Sequence, residues 1–361
     1  MTNFKQSTLF SIIFLLITSA TLAQYDSIPF DGNDRTYLLH LPTGYTGNEE
    51  LPLIIAMHGG FGSATNLQDQ SQLSVKADQE NFIVVYPEGV SNILKIRTWN
   101  AGWCCGFASN TDVDDVGFIG KLLDTLMAKY SINTDRVYAT GMSNGGFMSH
   151  RLACELPERI AAIAPVAASM SLKSCNPGRP VPIIQFHSYF DENVPYLGGI
   201  GSGVSNFHSS SQDSVLNAWS TLNSCQLTND TIVNNSEYTF TKWSDCACLT
   251  EIHHYISQDG GHSWPGGVKT FTGDPVSAFI NANDLMWDFF QQHSLDCLAV
   301  GTNELDLEKR DKMILSPNPS SGFFKLEGLK SDEVLSISVF DQKGRKLMVP
   351  INQLEIDMSV Q

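Results

Sequence analysis

The chain has 361 residues, 42% of them hydrophobic, which suffices for one large core and a small additional module but not for two large domains. Its formal net charge of −16 disfavours a nucleic-acid partner, because no basic surface is present to replace the counterions of a phosphate backbone. Such acidity is typical of a secreted protein that must stay soluble.

The first 23 residues predict a secretory signal. Lys5 precedes an apolar run at 9–17, small residues follow, and cleavage is predicted between Ala23 and Gln24. A membrane anchor is the alternative, but the run is shorter than the roughly 20 residues that a spanning helix needs. No later stretch is apolar enough for a membrane span. We therefore expect a secreted protein, extracellular or on the cell surface.

The eight cysteines predict disulfides, since an exported chain folds in an oxidising compartment. A zinc site is the alternative, but Cys104-Cys105 and the pair Cys246 and Cys248 lack the two-residue gap between ligands that zinc motifs usually have. Spacing does not select one pairing; Cys225 with Cys246 is preferred because it would close a loop before the last motif. Neither a metal nor an organic cofactor is predicted.

Apolar runs alternate with helical patterns along the first 295 residues. The pattern predicts a hairpin at 27–42, buried strands at 53–57, 82–86, 136–140, 160–166 and 181–186, an alternating strand at 251–257, and helices capped by Asp114 or Asp115, at 146–156 and at 279–290. Continuous apolar strands are typical of a parallel sheet that is covered on both faces. The order predicts an α/β fold with a doubly wound, mostly parallel sheet, whose ligands bind beyond the carboxyl ends of the strands.

The segment around Ser143 predicts a nucleophile elbow. Gly141 and Gly145 stand two residues before and after this serine, where side chains would collide with the neighbouring strand and helix. Such a spacing alone also fits an ordinary turn. A predicted strand before the serine and a predicted helix after it favour the elbow.

A serine hydroxyl becomes a nucleophile when a base takes its proton and an acid orients that base. In this kind of fold the acid and the histidine follow the serine on later loops. Asp191, or alternatively Glu192, follows the strand at 181–186, and His262 lies in a glycine-rich loop after the strand at 251–257. The order and the loop select His262 from the nine histidines.

A tetrahedral intermediate also needs hydrogen-bond donors for its oxyanion. We expect one donor from the backbone N–H of Asn144, directly after the serine, and one from the loop at 58–62. Phe61 is the first candidate in that loop and Gly60 the second. Glycines there allow the backbone to approach a substrate closely.

Five ordered motifs carry a family resemblance, at 99–106, 113–118, 138–146, 191–196 and 260–265. Together they resemble the extracellular polyhydroxybutyrate depolymerase and feruloyl esterase family of α/β-hydrolases. The resemblance spans residues 27–295 and implies a triad of Ser143, Asp191 and His262. Family members usually have His-Gly where this chain has His187-Ser188. The resemblance implies ester hydrolysis more firmly than any particular ester.

The composition changes near residue 298, which predicts a catalytic domain at 24–298, a polar linker at 299–312 and a small β module at 313–361. The module is similar to the C-terminal sorting domain of the bacterial type IX secretion system, through the segment 316–323 and a turn at 341–344. That similarity implies contact with an export machinery. The usual closing strands after Ser359 are missing, so the module is expected to be incomplete.

These features predict a secreted serine esterase that acts on feruloyl or acetyl esters of plant polysaccharide. Trp99, Trp103 and Trp264 are candidate walls of the substrate site, with core packing as the alternative. A polyhydroxybutyrate depolymerase, a serine peptidase and a non-catalytic polysaccharide-binding protein are the alternative functions. The predicted partner is an ester substrate, linked to polysaccharide or part of a polyester.

Overall fold

The structure of the protein is a computed structural model that describes residues 24–202, 207–226, 228–269 and 273–295, together with short strands between residues 314 and 357. The predicted signal and linker lie outside the described residues. The chain divides after Leu298 into two compact units.

Strands and helices alternate through the first unit, as the apolar pattern predicts. The strands are β1 (Gln24–Phe30), β2 (Asn33–His40), β3 (Leu51–Met57), β4 (Ile83–Pro87), β5 (Val90–Ser91), β6 (Arg97–Thr98), β7 (Ile132–Met142), β8 (Ala162–Val166), β9 (Ile183–Ser188), β10 (Gly199–Ile200), β11 (His208–Ser209), β12 (Asp230–Asn234), β13 (Tyr238–Trp243) and β14 (Ile252–Ser257). The helices are α1 (Ala64–Ser71), α2 (Leu73–Glu80), α3 (Gly106–Asn110), α4 (Asp115–Lys129), α5 (Asn144–Glu155), α6 (Gln212–Leu222) and α7 (Ala282–Phe290), with a 3-10 turn at Ala247–Leu249.

The main sheet has ten strands in the order β1-β2-β4-β3-β7-β8-β9-β14-β13-β12. The central strands from β4 to β14 run parallel, and antiparallel hairpins, β1-β2 and β13-β12, complete the two edges. Because the parallel strands end at one edge of the sheet, the loops after β3, β4, β7, β9 and β14 converge there.

Helices cover both faces of the sheet. Every residue of β3 is buried, with Leu53, Ile55 and Met57 in the core under α4, α5 and α6. Ile54 and Ala56 point into the opposite core, which α1, α2 and α7 complete. The alternation along one buried strand explains why the sequence shows a continuous apolar run there. The predicted doubly wound α/β class is confirmed.

The edge strands β12 and β13 were not predicted from the sequence. Their segment is polar and largely exposed on β12, so no apolar alternation marks it. Asp114 is the cap of α4, because its side chain accepts a hydrogen bond from the N–H of Gly117 at 2.8 Å. The closing helix begins at Ala282, three residues later than the predicted start, behind the cap of Asn281.

Disulfides join neighbouring segments of the first unit. The predicted pair Cys225–Cys246 is confirmed, and further bridges are Cys104–Cys105 and Cys154–Cys175. No cysteine among the described residues is free. Cys297 lies outside those residues.

The second unit contains short antiparallel strands. Ile314–Ser316, Phe323–Glu327, Glu355–Asp357 and Ile351–Asn352 form one sheet, and Val339–Phe340 pairs with Lys346–Leu347. The predicted turn at 341–344 lies outside the described residues. Within the described part of the chain, no helix has the length and apolar character that crossing a membrane requires.

Candidate active site

Ser143 is the single residue between the end of β7 and the start of α5. Its φ of 54° and ψ of −124° are outside the regions that L-residues commonly adopt. The N–H of Ser143 donates to the carbonyl of Val166 at 2.9 Å, which holds this backbone in place. A strained residue between a strand and a helix is the local structure of a nucleophile elbow.

The glycines beside Ser143 are required by close backbone contacts. A Cβ on Gly141 would lie 2.5 Å from the carbonyl carbon of Gly145 and 2.6 Å from the carbonyl oxygen of Met57. A Cβ on Gly145 would overlap that same oxygen of Met57. The strand, the elbow and the helix therefore pack at a distance that only glycine allows.

The loops after β9 and β14 bring Asp191 and His262 together. Asp191 Oδ2 lies 2.8 Å from His262 Nδ1, and Asp191 Oδ1 accepts hydrogen bonds from the N–H groups of Asn193 and Val194 at 2.9 and 2.8 Å. Asp191 is buried, whereas the alternative acid Glu192 is exposed. A carboxylate accepts from Nδ1–H, so this contact leaves His262 Nε2 without its proton and able to act as a base.

The Asp191 carboxyl group stays ionised in this environment. Burial alone would raise its pKa, but the adjacent His262 and the hydrogen bonds more than offset that effect, so the pKa lies below its usual value. The loop of His262 is held by a hydrogen bond from its N–H to Asp274 Oδ2 at 2.8 Å. Both groups are thus fixed by their own loops before any ligand arrives.

The loop after β3 lies beside the elbow. A Cβ on Gly59 would lie 3.3 Å from Ser143 Cβ, and one on Gly60 would lie 4.0 Å from Asn144 Cβ. Phe61, the first candidate oxyanion donor, instead donates its N–H to the carbonyl of Arg97 at 3.0 Å. Among the described residues, the N–H groups of Gly60 and Asn144 have no such acceptor. Gly60 therefore replaces Phe61 as the candidate donor from this loop.

His58 fixes the loop after β3 to neighbouring segments. Its Nδ1 lies 2.7 Å from the carbonyl of Gly59, and its Nε2 accepts from the N–H of Gly89 at 3.0 Å. This pair of contacts requires the neutral ring with the proton on Nδ1. Burial, the largest effect, lowers the pKa of His58 to about 4. Its carbonyl also accepts from Trp99 Nε1 at 3.0 Å.

Ser143 and His262 line one cavity of about 370 Å³. Asn144, Gly60 and Phe61 line the same cavity, so it brings together most of the predicted site residues. Its apolar walls were not predicted from the sequence: they are Ile96, Phe107, Phe147, Val194, Phe207 and the bonded pair Cys104–Cys105.

The predicted tryptophans have other positions. Trp99 is completely buried beside His58, and Trp264 is buried with its Nε1 donating to Asn283 Oδ1 at 3.0 Å. Neither lines the cavity, and the structure places both in core packing. Trp103 is 60% exposed, outside the cavity wall, with Lys173 Nζ 4.5 Å from its ring centroid.

The side chain of Asn144 has a structural role that the sequence did not reveal. Its Oδ1 accepts from the N–H of Trp99 at 2.6 Å, and its Nδ2 donates to the carbonyl of Trp99 at 3.0 Å. This pair of bonds ties the start of α5 to the segment that carries Cys104–Cys105. Among the described residues, no group of three or more His, Cys, Asp or Glu side chains is arranged to hold a metal ion.

Comparison with known proteins supports the family that the motifs predicted. Residues 35–171 match the family described as esterase PHB depolymerase. Feruloyl esterase B of Piromyces equi is 29% identical over 270 residues, which are 72% of this chain and 46% of that protein. This chain therefore spans less than half of the length of that relative. A probable feruloyl esterase C of Aspergillus terreus is 24% identical over 72% of this chain and 84% of its own length.

A solved structure shares the fold. The acetyl xylan esterase from Aspergillus awamori superposes with a TM-score of 0.51 at 13% identity, over 74% of this chain and 99% of that chain. The arrangement of sheet, helices and elbow is that of an α/β-hydrolase.

Proposed function

We propose that this chain is a carboxylic ester hydrolase that uses Ser143, His262 and Asp191 as a catalytic triad. In the first step, Ser143 Oγ bonds to the ester carbonyl carbon while His262 Nε2 takes the hydroxyl proton. The tetrahedral intermediate collapses to an acyl-enzyme, and the alcohol leaves with the proton from His262. Water then attacks the acyl carbon with His262 again as the base, which frees the acid and restores Ser143.

Each remaining group has a role in this mechanism. Asp191 keeps the proton on Nδ1 of His262 and stabilises the imidazolium. The N–H groups of Asn144 and Gly60, which have no acceptor among the described residues, would donate to the oxyanion. The observation that carries the proposal is that His262, which contacts Asp191 at 2.8 Å, lines the same cavity as the strained Ser143.

The substrate proposed here is a feruloyl or acetyl ester of a plant polysaccharide. The cavity beside Ser143 is walled by Phe107, Phe147 and Phe207, which suit the flat face of a phenolic acyl group. Its volume of about 370 Å³ leaves room for an aromatic acyl group and not only for acetyl. The feruloyl and acetyl xylan esterases among the relatives support the same class of ester.

The test of ester hydrolysis is turnover of p-nitrophenyl acetate by the purified protein. Activity that disappears in Ser143→Ala supports the proposal, and a protein without turnover of any ester would be a binding protein instead. A casein digest run in parallel tests the peptidase alternative. Peptide hydrolysis that exceeds ester hydrolysis would contradict the proposal.

A polyhydroxybutyrate depolymerase is the second candidate, and exposed apolar side chains favour it. Phe61 at the cavity is 58% exposed, Phe190 next to Asp191 is 59% exposed, and Ile93 and Leu94 on the turn between β5 and β6 are 98% and 72% exposed. Such side chains suit contact with an insoluble polyester. The choice is tested by kcat/KM on methyl ferulate, acetylated xylan and 3-hydroxybutyrate oligomers. A preference above about tenfold for the oligomers, roughly 1.4 kcal/mol, would select the depolymerase.

We further propose that the protein is secreted, with residues 1–23 as the signal and 313–361 as a type IX sorting module. The disulfides of the first unit support an oxidising destination. N-terminal sequencing of protein recovered outside the producing cells should start at Gln24. Removal of residues 313–361 should retain the protein in the cell envelope, and unchanged secretion would contradict the sorting role.

A further inference from the structure

A second cavity of about 530 Å³ lies next to the catalytic cavity. It is formed by the turn between β1 and β2, the segment after β4 and the helix α3, and its lining includes Phe30, Asp34, Thr36, Ser91 and Phe107. Phe107 lines both cavities, so the two share a wall. Nothing in the proposed hydrolysis of the ester bond uses this second cavity.

The guanidinium groups at this cavity are neutralised by carboxylates of the protein, whereas the lining carboxylates Asp31, Asp34 and Asp114 have no ion-pair partner among the described residues. Arg35 Nη2 lies 2.7 Å from Asp115 Oδ1, and Arg97 Nε lies 2.9 Å from Glu88 Oε2. Because both guanidinium groups already have carboxylate partners, the cavity is not built to hold an anion. The backbone carbonyl of Arg97 also accepts from the N–H of Phe61, which links the cavity to the loop after β3.

The groups that remain free suit a neutral polyhydroxylated ligand. The side chains of Asp34, Thr36 and Ser91 are exposed and make no hydrogen bond within the described residues. Hydroxyl groups can donate to and accept from vicinal sugar hydroxyls, and a carboxylate can accept from them. Phe30 and Phe107 offer apolar ring surface on which the C–H face of a sugar can pack.

The second cavity has the position expected of a site for the alcohol part of an ester. An ester joins an acyl group to an alcohol, and the proposed acyl site is the cavity that contains Ser143. The alcohol of a polysaccharide ester is a sugar unit within a chain, which needs a polar binding surface beside the acyl site. We propose that the second cavity, lined by Asp34, Thr36, Ser91, Phe30 and Phe107, binds the neutral carbohydrate chain that carries the ester; this inference rests on the proposed function.

The test distinguishes effects on binding of the carbohydrate part of the substrate from effects on binding of the acyl part. Ser91→Trp should fill the cavity, and Asp34→Ala should remove one polar partner while leaving the shape intact. Matched controls are Thr231→Trp and Asp230→Ala, which are exposed positions of β12 at the opposite edge of the sheet. Each variant is compared on methyl ferulate and on a feruloylated xylo-oligosaccharide.

We expect Ser91→Trp to lower kcat/KM on the oligosaccharide ester at least tenfold and Asp34→Ala about threefold, with methyl ferulate unchanged within twofold. The controls should match the unmodified protein on both esters. Equal loss on both esters, or no loss on the oligosaccharide ester, would overturn the inference. If Ser91→Trp changes the melting temperature, the kcat/KM values of Asp34→Ala on the two esters decide the outcome.

A binding measurement keeps this inference separate from the proposed function. Calorimetric titration of Ser143→Ala protein with xylohexaose needs no ester chemistry. If Ser143→Ala protein binds xylohexaose and the double variant with Ser91→Trp does not, the carbohydrate site is supported even if no ester is hydrolysed. Absence of xylohexaose binding overturns the inference even if methyl ferulate is hydrolysed.

Discussion

Asp191 is the residue whose surroundings best define the chemistry of the site. Its Oδ2 meets His262 Nδ1, and its Oδ1 accepts two backbone N–H groups from its own loop. These contacts leave no freedom for the carboxylate to turn away. A fixed acid fixes the imidazole, and the imidazole shares the cavity with Ser143.

The triad should behave as one unit in mutagenesis. We predict that Ser143→Ala and His262→Ala each lower kcat on p-nitrophenyl acetate by roughly 10⁴- to 10⁶-fold, with Asp191→Asn milder. The losses should not add in the double variant, because each substitution alone already stops the same step. His208→Ala, an exposed histidine, is the control. Activity that survives in His262→Ala would require another base.

Two details at the residue scale could not come from the sequence. The choice between Phe61 and Gly60 depended on a hydrogen bond to Arg97, which lies 36 residues away and is brought close only by the fold. The burial of Trp99 and Trp264 depended on partners in separate segments. The elbow itself was predictable, since strand, glycine spacing and helix are all local.

At the scale of elements, the loop after β9 and the loop after β14 are joined directly. Ser188 Oγ donates to the carbonyl of Gly260 at 2.5 Å and accepts from the N–H of Phe190 at 3.0 Å. This is the position where the resembling family usually has glycine. The hydroxyl therefore connects the loop that carries Asp191 with the loop that carries His262.

Substitution of Ser188 tests that connection. We predict that Ser188→Ala lowers kcat on p-nitrophenyl acetate about three- to tenfold with little change in KM, because the loops that carry Asp191 and His262 lose a shared hydrogen bond. Stability should fall by about 1 kcal/mol, measured by urea unfolding. Ser188→Thr retains a hydroxyl and should recover part of the rate. Unchanged kcat in Ser188→Ala would show that the loops are held by other contacts.

The central strands and their helices were predictable because each buried strand is a continuous apolar run. The edge strands β12 and β13 lack that run, and their pairing depends on β14 beside them. The apolar walls of the cavity could not be predicted for a related reason. Phe147 lies on α5 and Phe207 in a loop distant in sequence, and only the fold brings them together. Local pattern predicts elements, whereas cavities depend on tertiary contacts.

At the scale of the whole molecule, several buried or partly buried histidines are held in the neutral form. Burial lowers the pKa of His150 and of His254 to about 3, and that of His58 and His293 to about 4. In the unfolded chain these rings bind a proton near pH 6.5. As pH falls below that value the unfolded chain gains protons first, so stability is lost toward pH 4.

We therefore predict acid sensitivity of the fold. When the pH falls from 7 to 5, each completely buried imidazole ring should lower the free energy of unfolding by on the order of 2 kcal/mol. Urea unfolding at both pH values measures the change, and His254→Gln should reduce it. The exposed variant His208→Gln should leave it unaltered. Equal urea midpoints at pH 7 and pH 5 would refute the prediction.

The bridge Cys154–Cys175 should contribute to global stability. It connects α5 to the segment after β8 across a sequence separation of 21. A disulfide that closes a loop of that length stabilises the folded state by about 3 kcal/mol. Replacing both cysteines by alanine should lower the melting temperature in a calorimetric scan. Reductant should then lower it less than in the unmodified protein. A double variant as stable as the original would show that the bridge adds nothing.

The bonded pair Cys104–Cys105 has a practical consequence for anyone who handles this protein. Both cysteines line the cavity that contains Ser143, and Asn144 Nδ2 lies 3.9 Å from Cys104 Sγ. A thiol reductant in a storage buffer would convert this bond into two separate thiols, each able to donate weakly, and would leave the half-buried Cys105 open to alkylating reagents. Substrate preferences recorded in such a buffer would then describe a protein that differs chemically from the one with the bond intact.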